Sequence, residues 1–160
     1  MSDNFSPANH SLSAEQLLWL LQLASPGLPV GAYAYSEGVE ALTTQGIIRD
    51  RASLQTWLDG QLQHGAIRIE IAIMLRSLAA WPRPEDLTAW NAWLSASWET
   101  EELRAQSWQM GRSLLRLLGE LIPEARDTWS NWSETNWAIA WGIAMALREM
   151  PPEVAALAYG

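Results

Sequence analysis

The chain has 160 residues, 18 acidic against 10 basic side chains, a formal net charge of −8 and no cysteine. That length builds one domain with a sizeable core rather than two. The charge argues against a phosphate-neutralising nucleic-acid surface, and the missing thiols exclude disulfides, thiolate metal sites and cysteine nucleophiles. All ten basic residues are arginine, which excludes Schiff-base chemistry and a lysine-dependent phosphate loop. No signal peptide is visible, and no apolar run reaches the roughly 20 residues that cross a bilayer. A cytoplasmic protein with no membrane or nucleic-acid partner is therefore expected.

Residues 1–12 are polar and read as a disordered arm, leaving 13–160 as a helical domain. Ser13-Ala14-Glu15-Gln16 is a capping box that opens a helix through Leu17, Leu18, Leu20 and Leu21. Pro26, Gly27, Pro29 and Gly31 interrupt it, because proline fixes its own φ and glycine opens positive φ, so Ser25 to Gly31 is a shaped loop. Helix is expected to restart at Ala32 and run to Thr44, with Gly46 as terminator. On it Tyr35, Val39 and Leu42 share a core-facing stripe, while Tyr33, Glu37 and Glu40 lie opposite. Those carboxylates are either a solvated face or a partner-binding face; with no His or Cys beside them they make a poor metal site.

Asp50 or Ser53 caps a third helix bearing Leu54, Trp57, Leu58 and Leu62. From Gly65 to Ala80 the apolar spacing mixes periods of two and 3.6, so a strand over Ile67 to Ile73 competes with helix. The run continues to Trp81, too long for an ordinary strand, and helix is the expectation. Trp81-Pro82-Arg83-Pro84 is a connector, and Glu85 and Asp86 suit the start of the next helix, through Leu87, Trp90, Leu94 and Trp98. Thr100 caps the most regular helix, whose Leu103, Met110, Leu114, Leu117, Leu118 and Leu121 form a core stripe bordered by Ser107 and Gly111. Beside it Arg104, Trp108 and Leu115 make a half-apolar strip that a lone domain does not require. Pro123 ends that helix. The segment from Glu134 to Arg148 is apolar nearly all round and belongs at the centre, and a last helix begins near Val154. The expectation is an all-α, single-domain bundle of about seven helices.

Eleven tryptophans against one phenylalanine is unusual, and Trp90, Trp93, Trp129 and Trp132 lie in polar surroundings. They are either core rings or a contact surface, where tryptophan is enriched.

Two stretches resemble one family. Residues 21–40, Leu-Gln-Leu-Ala-Ser-Pro-Gly-Leu-Pro-Val-Gly-Ala-Tyr-Ala-Tyr-Ser-Glu-Gly-Val-Glu, resemble the amino-terminal signature of the urease accessory protein UreF family. Residues 100–112, Thr-Glu-Glu-Leu-Arg-Ala-Gln-Ser-Trp-Gln-Met-Gly-Arg, are similar to its Glu-Leu-Arg, Ser, Met-Gly-Arg helix, in the family's order and separation. There are departures. Asn136-Trp137-Ala138 stands where the family carries His and Pro before the glycine kept here as Gly142, and Tyr33, Glu37 and Val39 replace Phe, Gln and Leu. Family members also continue past position 160 into a further helix and a Pro-Leu-Gly-Gln tail, so a carboxy-terminally truncated form is expected.

The resemblance implies an all-helical homodimer without catalysis, cofactor or metal of its own. Such a protein bridges UreD (also called UreH) and the GTPase UreG, modulates GTP hydrolysis, and helps deliver nickel to the urease apoprotein. Candidate partner contacts are Tyr33, Tyr35, Ser36, Glu37, Glu40, Glu102, Arg104, Ser107, Trp108 and Arg112, with Pro29, Gly31, Gly38 and Gly111 shaping the backbone. Two alternatives stay open: a GTPase-activating protein with Arg104 or Arg112 as arginine finger, and a small helical enzyme using Glu37, Glu40 or His64 as acid and base.

Overall fold

The computed structural model describes residues 11–25, 27–30, 38–129 and 132–159, and every regular element among them is helical. The α-helices are α1 (Ala14–Leu23), α2 (Val39–Thr44), α3 (Arg51–His64), α4 (Ile67–Ala80), α5 (Pro84–Ser97), α6 (Glu101–Leu121), α7 (Trp137–Ala146) and α8 (Pro152–Tyr159), with a 3-10 segment at Pro123–Thr128. The strand alternative over Ile67 to Ile73 is therefore settled as the first half of α4.

Helix starts follow their caps. Ser13 Oγ accepts from Gln16 N while Gln16 Oε1 accepts from Ser13 N, both at 3.1 Å. Asp50 and Ser53 both serve α3, reciprocally: Asp50 Oδ1 accepts from Ser53 N at 2.8 Å and Ser53 Oγ from Asp50 N at 3.1 Å. At α6, Thr100 Oγ1 accepts from Leu103 N at 3.2 Å. The Gly46 terminator is a Schellman turn, in which Ile47 N donates to Leu42 O at 2.9 Å and Gly46 N to Thr43 O at 3.0 Å, with Gly46 at φ 71°.

The start of α2 differs from expectation. Gly38 has φ 86° and sits before Val39 as the N-cap, so no continuous helix passes from Ala32 to Thr44. The helix that remains buries nothing fully; Val39 and Leu42 are only half-buried. Upstream, Val30 N donates to Leu28 O at 2.8 Å across Pro29, a γ-turn that leaves Pro29 exposed and places Val30 in the core at 3% exposure.

Helix α7 is the centre, as its all-round apolar sequence requires: Ala138 to Met145 are all buried. It packs mainly between α4 and α6. Small residues set the spacing on both sides. A Cβ at Gly142 would lie 2.6 Å from Met74 O and from Ser77 Cβ, so α4 and α7 are in backbone contact there. Ser77, fully buried, donates from Oγ to Ile139 O at 3.0 Å, spending a spare lone pair of a helix carbonyl. On the other side Gly111 of α6 faces the backbone of Thr135 and Asn136 so closely that no side chain fits. Helix α1 closes the end of α7: Trp19 Nε1 donates to Ala144 O at 2.9 Å, Gln16 Nε2 to Arg148 O at 3.0 Å, and Arg148 lies 4.6 Å over the Trp19 ring.

Close packing through Ser107 and Gly111 turns α6 relative to the stripe read from its leucines. Its buried residues are Ser107, Gly111, Leu114, Leu115, Leu118 and Gly119, whereas Leu103 and Leu121 are exposed. Leu115, expected on the spare strip, is core. Trp129 is core too, at 5% exposure, donating from Nε1 to Leu115 O at 3.1 Å.

Candidate functional site

The first half of α6 carries the second family-like motif, and its side chains divide by face. At about 100° per residue, Arg104, Trp108 and Arg112 follow one another at i, i+4 and i+8 as a gently drifting strip. Glu102 lies about 160° round the helix from Arg104 and does not share that strip. Arg104 is stacked 5.3 Å over the Trp108 ring, and Trp108 Nε1 donates to Ser95 Oγ at 3.0 Å, so α5 anchors the strip. Arg104 and Trp108 are half-buried and Arg112 is exposed. The Arg104 guanidinium lies 4.0 Å from Glu101, an exposed pair of small energetic weight. No carboxylate among the described residues forms an ion pair with Arg112.

Glu102 turns back on the helix start. Its own backbone N–H and the Thr100 hydroxyl hold its carboxyl below the usual glutamate value. Its part within the chain is therefore to complement the α6 amino terminus. Ser107 packs inward: it is 5% exposed, and its Oγ accepts from Trp137 N at 3.0 Å in the first turn of α7. Gly111 admits the Thr135 and Asn136 backbone at close range. Gly38 shapes the backbone through its positive φ, with no atom within 4 Å of a Cβ there, so close approach is not its reason.

In the amino-terminal motif, Glu40 lies exposed in the first turn of α2. Gly31, Tyr33, Tyr35, Ser36 and Glu37 lie outside the described residues. His64 ends α3 and lines a groove of about 450 Å³ with Arg68, Ile69, Arg76, Trp90 and Trp93, and no carboxylate among the described residues lines it. The described residues thus do not join His64 to Glu40 as an acid and base pair. Among them no three His, Asp or Glu side chains gather in a group able to hold a metal ion, and no helix is long and apolar enough to cross a membrane.

Sequence reasoning missed a buried polar junction where α5, α6 and α7 meet. Asn136, fully buried, accepts at Oδ1 from Trp98 Nε1 at 2.8 Å and donates from Nδ2 to Ser95 Oγ at 2.7 Å. Asn91 completes it, giving Nδ2 to Glu134 O at 2.6 Å and accepting from Asn136 N at 2.9 Å. The same Ser95 oxygen receives Trp108, so the junction reaches the Arg104–Trp108–Arg112 strip. The available signal was Asn91 and Ser95 at i, i+4 on α5.

The UreF family model matches residues 48–160. The chain belongs to the UreF family. It is 48% identical over 152 residues to the urease accessory protein UreF of Trichormus variabilis, covering 93% of this chain and 66% of that protein. Against the UreF of Microcystis aeruginosa it is 51% identical over 151 residues, covering 92% of this chain and again 66% of that protein. A bifunctional urease accessory protein UreEF of Bordetella bronchiseptica is 45% identical over 113 residues, 69% of this chain and 26% of that protein. The chain thus spans 66% of the length of the first two UreF relatives. The UreF match contains α3 to α8, and with them the α6 strip and the polar junction behind it.

Proposed function

We propose that this UreF chain is a non-catalytic adaptor of urease maturation that acts in the cytoplasm as a homodimer. It bridges UreD (UreH) and the GTPase UreG on the urease apoprotein, assists nickel insertion into the urease metallocentre, and modulates GTP hydrolysis by UreG. The observation that carries the reading is the UreF match over residues 48–160, joined to relatives named urease accessory protein at up to about half identity. The surface fits an adaptor: an anchored strip of Arg104, Trp108 and Arg112, half-buried to exposed, offers the side-chain types that dominate protein interfaces. Exposed Glu40 supplies a second candidate contact.

The test is co-purification of the tagged chain with co-expressed UreD, UreG and urease subunits. A stable complex that raises the nickel content of the apoprotein is expected. Failure to retain both UreD and UreG removes the adaptor function.

A further inference from the structure

We infer that the groove between α4 and α5 docks a carboxylate-rich amphipathic helix of one of the proteins this chain assembles with; the inference rests on the adaptor function proposed above. The groove is an electrostatic exception. The chain carries 18 acidic and 10 basic residues, yet the ionisable side chains among the described residues lining this groove are Arg68, Arg76 and His64. No carboxylate among the described residues forms an ion pair with either arginine.

Both arginines are held in place. Arg68 Nη1 donates to Gln63 O at 2.7 Å, and Arg76 Nη1 to Ala72 O at 2.9 Å with its guanidinium 5.0 Å over the Trp90 ring. Holding them reduces the side-chain entropy lost on binding, while the remaining guanidinium donors stay available for a forked carboxylate contact. Between them the walls are apolar and wet: Ile69 is 45% exposed and Trp93 51%. An uncharged apolar helix would leave two cations facing it, and a small anion would leave those rings in water. A helix bearing carboxylates beside large apolar residues satisfies both.

Arg68 and Arg76 are eight residues apart on one helix, about 12 Å along its axis. A partner helix lying along α4 therefore meets them with two carboxylates seven or eight residues apart, on either side of an apolar stripe.

The experiment places p-benzoylphenylalanine at position 93 in the chain co-expressed with UreD, UreG and urease subunits, irradiates the assembled complex and identifies the cross-linked peptide. A cross-link to a helical segment of a partner with that carboxylate spacing is expected. Its yield should fall roughly ten-fold in Arg68→Glu/Arg76→Glu and only slightly in Arg116→Glu, a control on exposed α6. An intact complex without a cross-link, one whose yield ignores the double reversal, or a cross-link to a second copy of this chain overturns the groove assignment and leaves the adaptor function standing. Absence of any complex overturns both.

Discussion

Asn136 and Asn91 are tied together three times: Asn136 N and Nδ2 each donate to Asn91 Oδ1 at 2.9 Å, and Nδ2 also reaches Asn91 O at 3.1 Å. Asn91 is on α5 and Asn136 is the residue just before α7, so the pair fixes how the central helix enters the bundle. Asn136 is fully buried, and its partners Asn91 and Trp98 are half-buried. Asn136→Ala is expected to destabilise the chain by about 3 kcal/mol, because Trp98 Nε1 loses its acceptor and Asn91 O and Ser95 Oγ lose the Nδ2 donor, while Asn91 Oδ1 keeps only the backbone N–H. Ser95→Ala, which removes a hydroxyl at the junction edge, should cost about 1 kcal/mol. Urea unfolding followed by tryptophan fluorescence measures both; equal costs would mean the junction is not the cooperative unit drawn here.

Glycine-to-alanine substitution should change sign along the chain. At Gly60, in α3, nothing lies within 4 Å of the new methyl, and Gly60→Ala is expected to stabilise by up to about 1 kcal/mol through helix propensity. At Gly142 the methyl meets Met74 O and Ser77 Cβ, and at Gly111 it meets the Thr135 and Asn136 backbone. Neither neighbour is a flexible side-chain tip, so both substitutions force helices apart and should cost about 2–4 kcal/mol. Thermal melts of the three variants decide it, and a neutral Gly142→Ala would contradict the α4–α7 contact.

The same contacts explain what was legible in the sequence. Helix α7 was, because a segment without a polar face has only the interior to occupy. The caps at Ser13, Asp50 and Thr100 were, because each acts within three residues of itself. The rotation of α6 was not. Leucine spacing alone favours Leu103 and Leu121, but the helix turns to bring Ser107 and Gly111 against Thr135 to Trp137, a contact made across more than twenty residues. Trp129 looked like surface from its polar neighbours and is core through its bond to Leu115, fourteen residues away. In the candidate site, the pairing of Arg104 with Trp108 followed from helical period, whereas Leu115, read on the same strip, is core, and Ser107's inward role depended on a partner the period does not name.

The caps of α3 and α6 carry a pH signature. The Ser53 backbone N–H and then its hydroxyl hold the Asp50 carboxyl below its ordinary 3.8, and Glu102 is lowered by its own N–H and Thr100. A carboxyl depressed in the folded state contributes stability that is present above its unfolded value and lost as pH falls through the folded value. The wild-type chain should therefore lose part of its stability below about pH 4. Asp50→Asn keeps an acceptor for Ser53 N but does not titrate, so with Glu102→Gln it should flatten that acid limb while changing neutral-pH stability little. Urea midpoints between about pH 5 and pH 2 test this; parallel curves for the two proteins would rule out the caps as its source.

Arg104 and Arg112 separate an adaptor from an arginine finger. Arg104 is committed to the Trp108 face, so Arg104→Ala should cost up to about 1 kcal/mol of stability. Arg112 is exposed with no ion pair among the described residues, so Arg112→Ala should leave stability within about 0.5 kcal/mol. An arginine that stabilises a phosphoryl-transfer transition state contributes roughly a thousand-fold or more to turnover, whereas one that only holds a partner weakens binding and leaves the bound rate alone. Adaptor action therefore predicts that Arg112→Glu weakens capture of UreG by about ten-fold, and that Arg112→Ala and Arg104→Ala leave GTP hydrolysis by saturated UreG within about ten-fold of wild type. Single-turnover hydrolysis at rising chain concentration measures affinity and bound rate separately. A thousand-fold loss at saturation for either alanine variant would assign that arginine to the GTPase site itself.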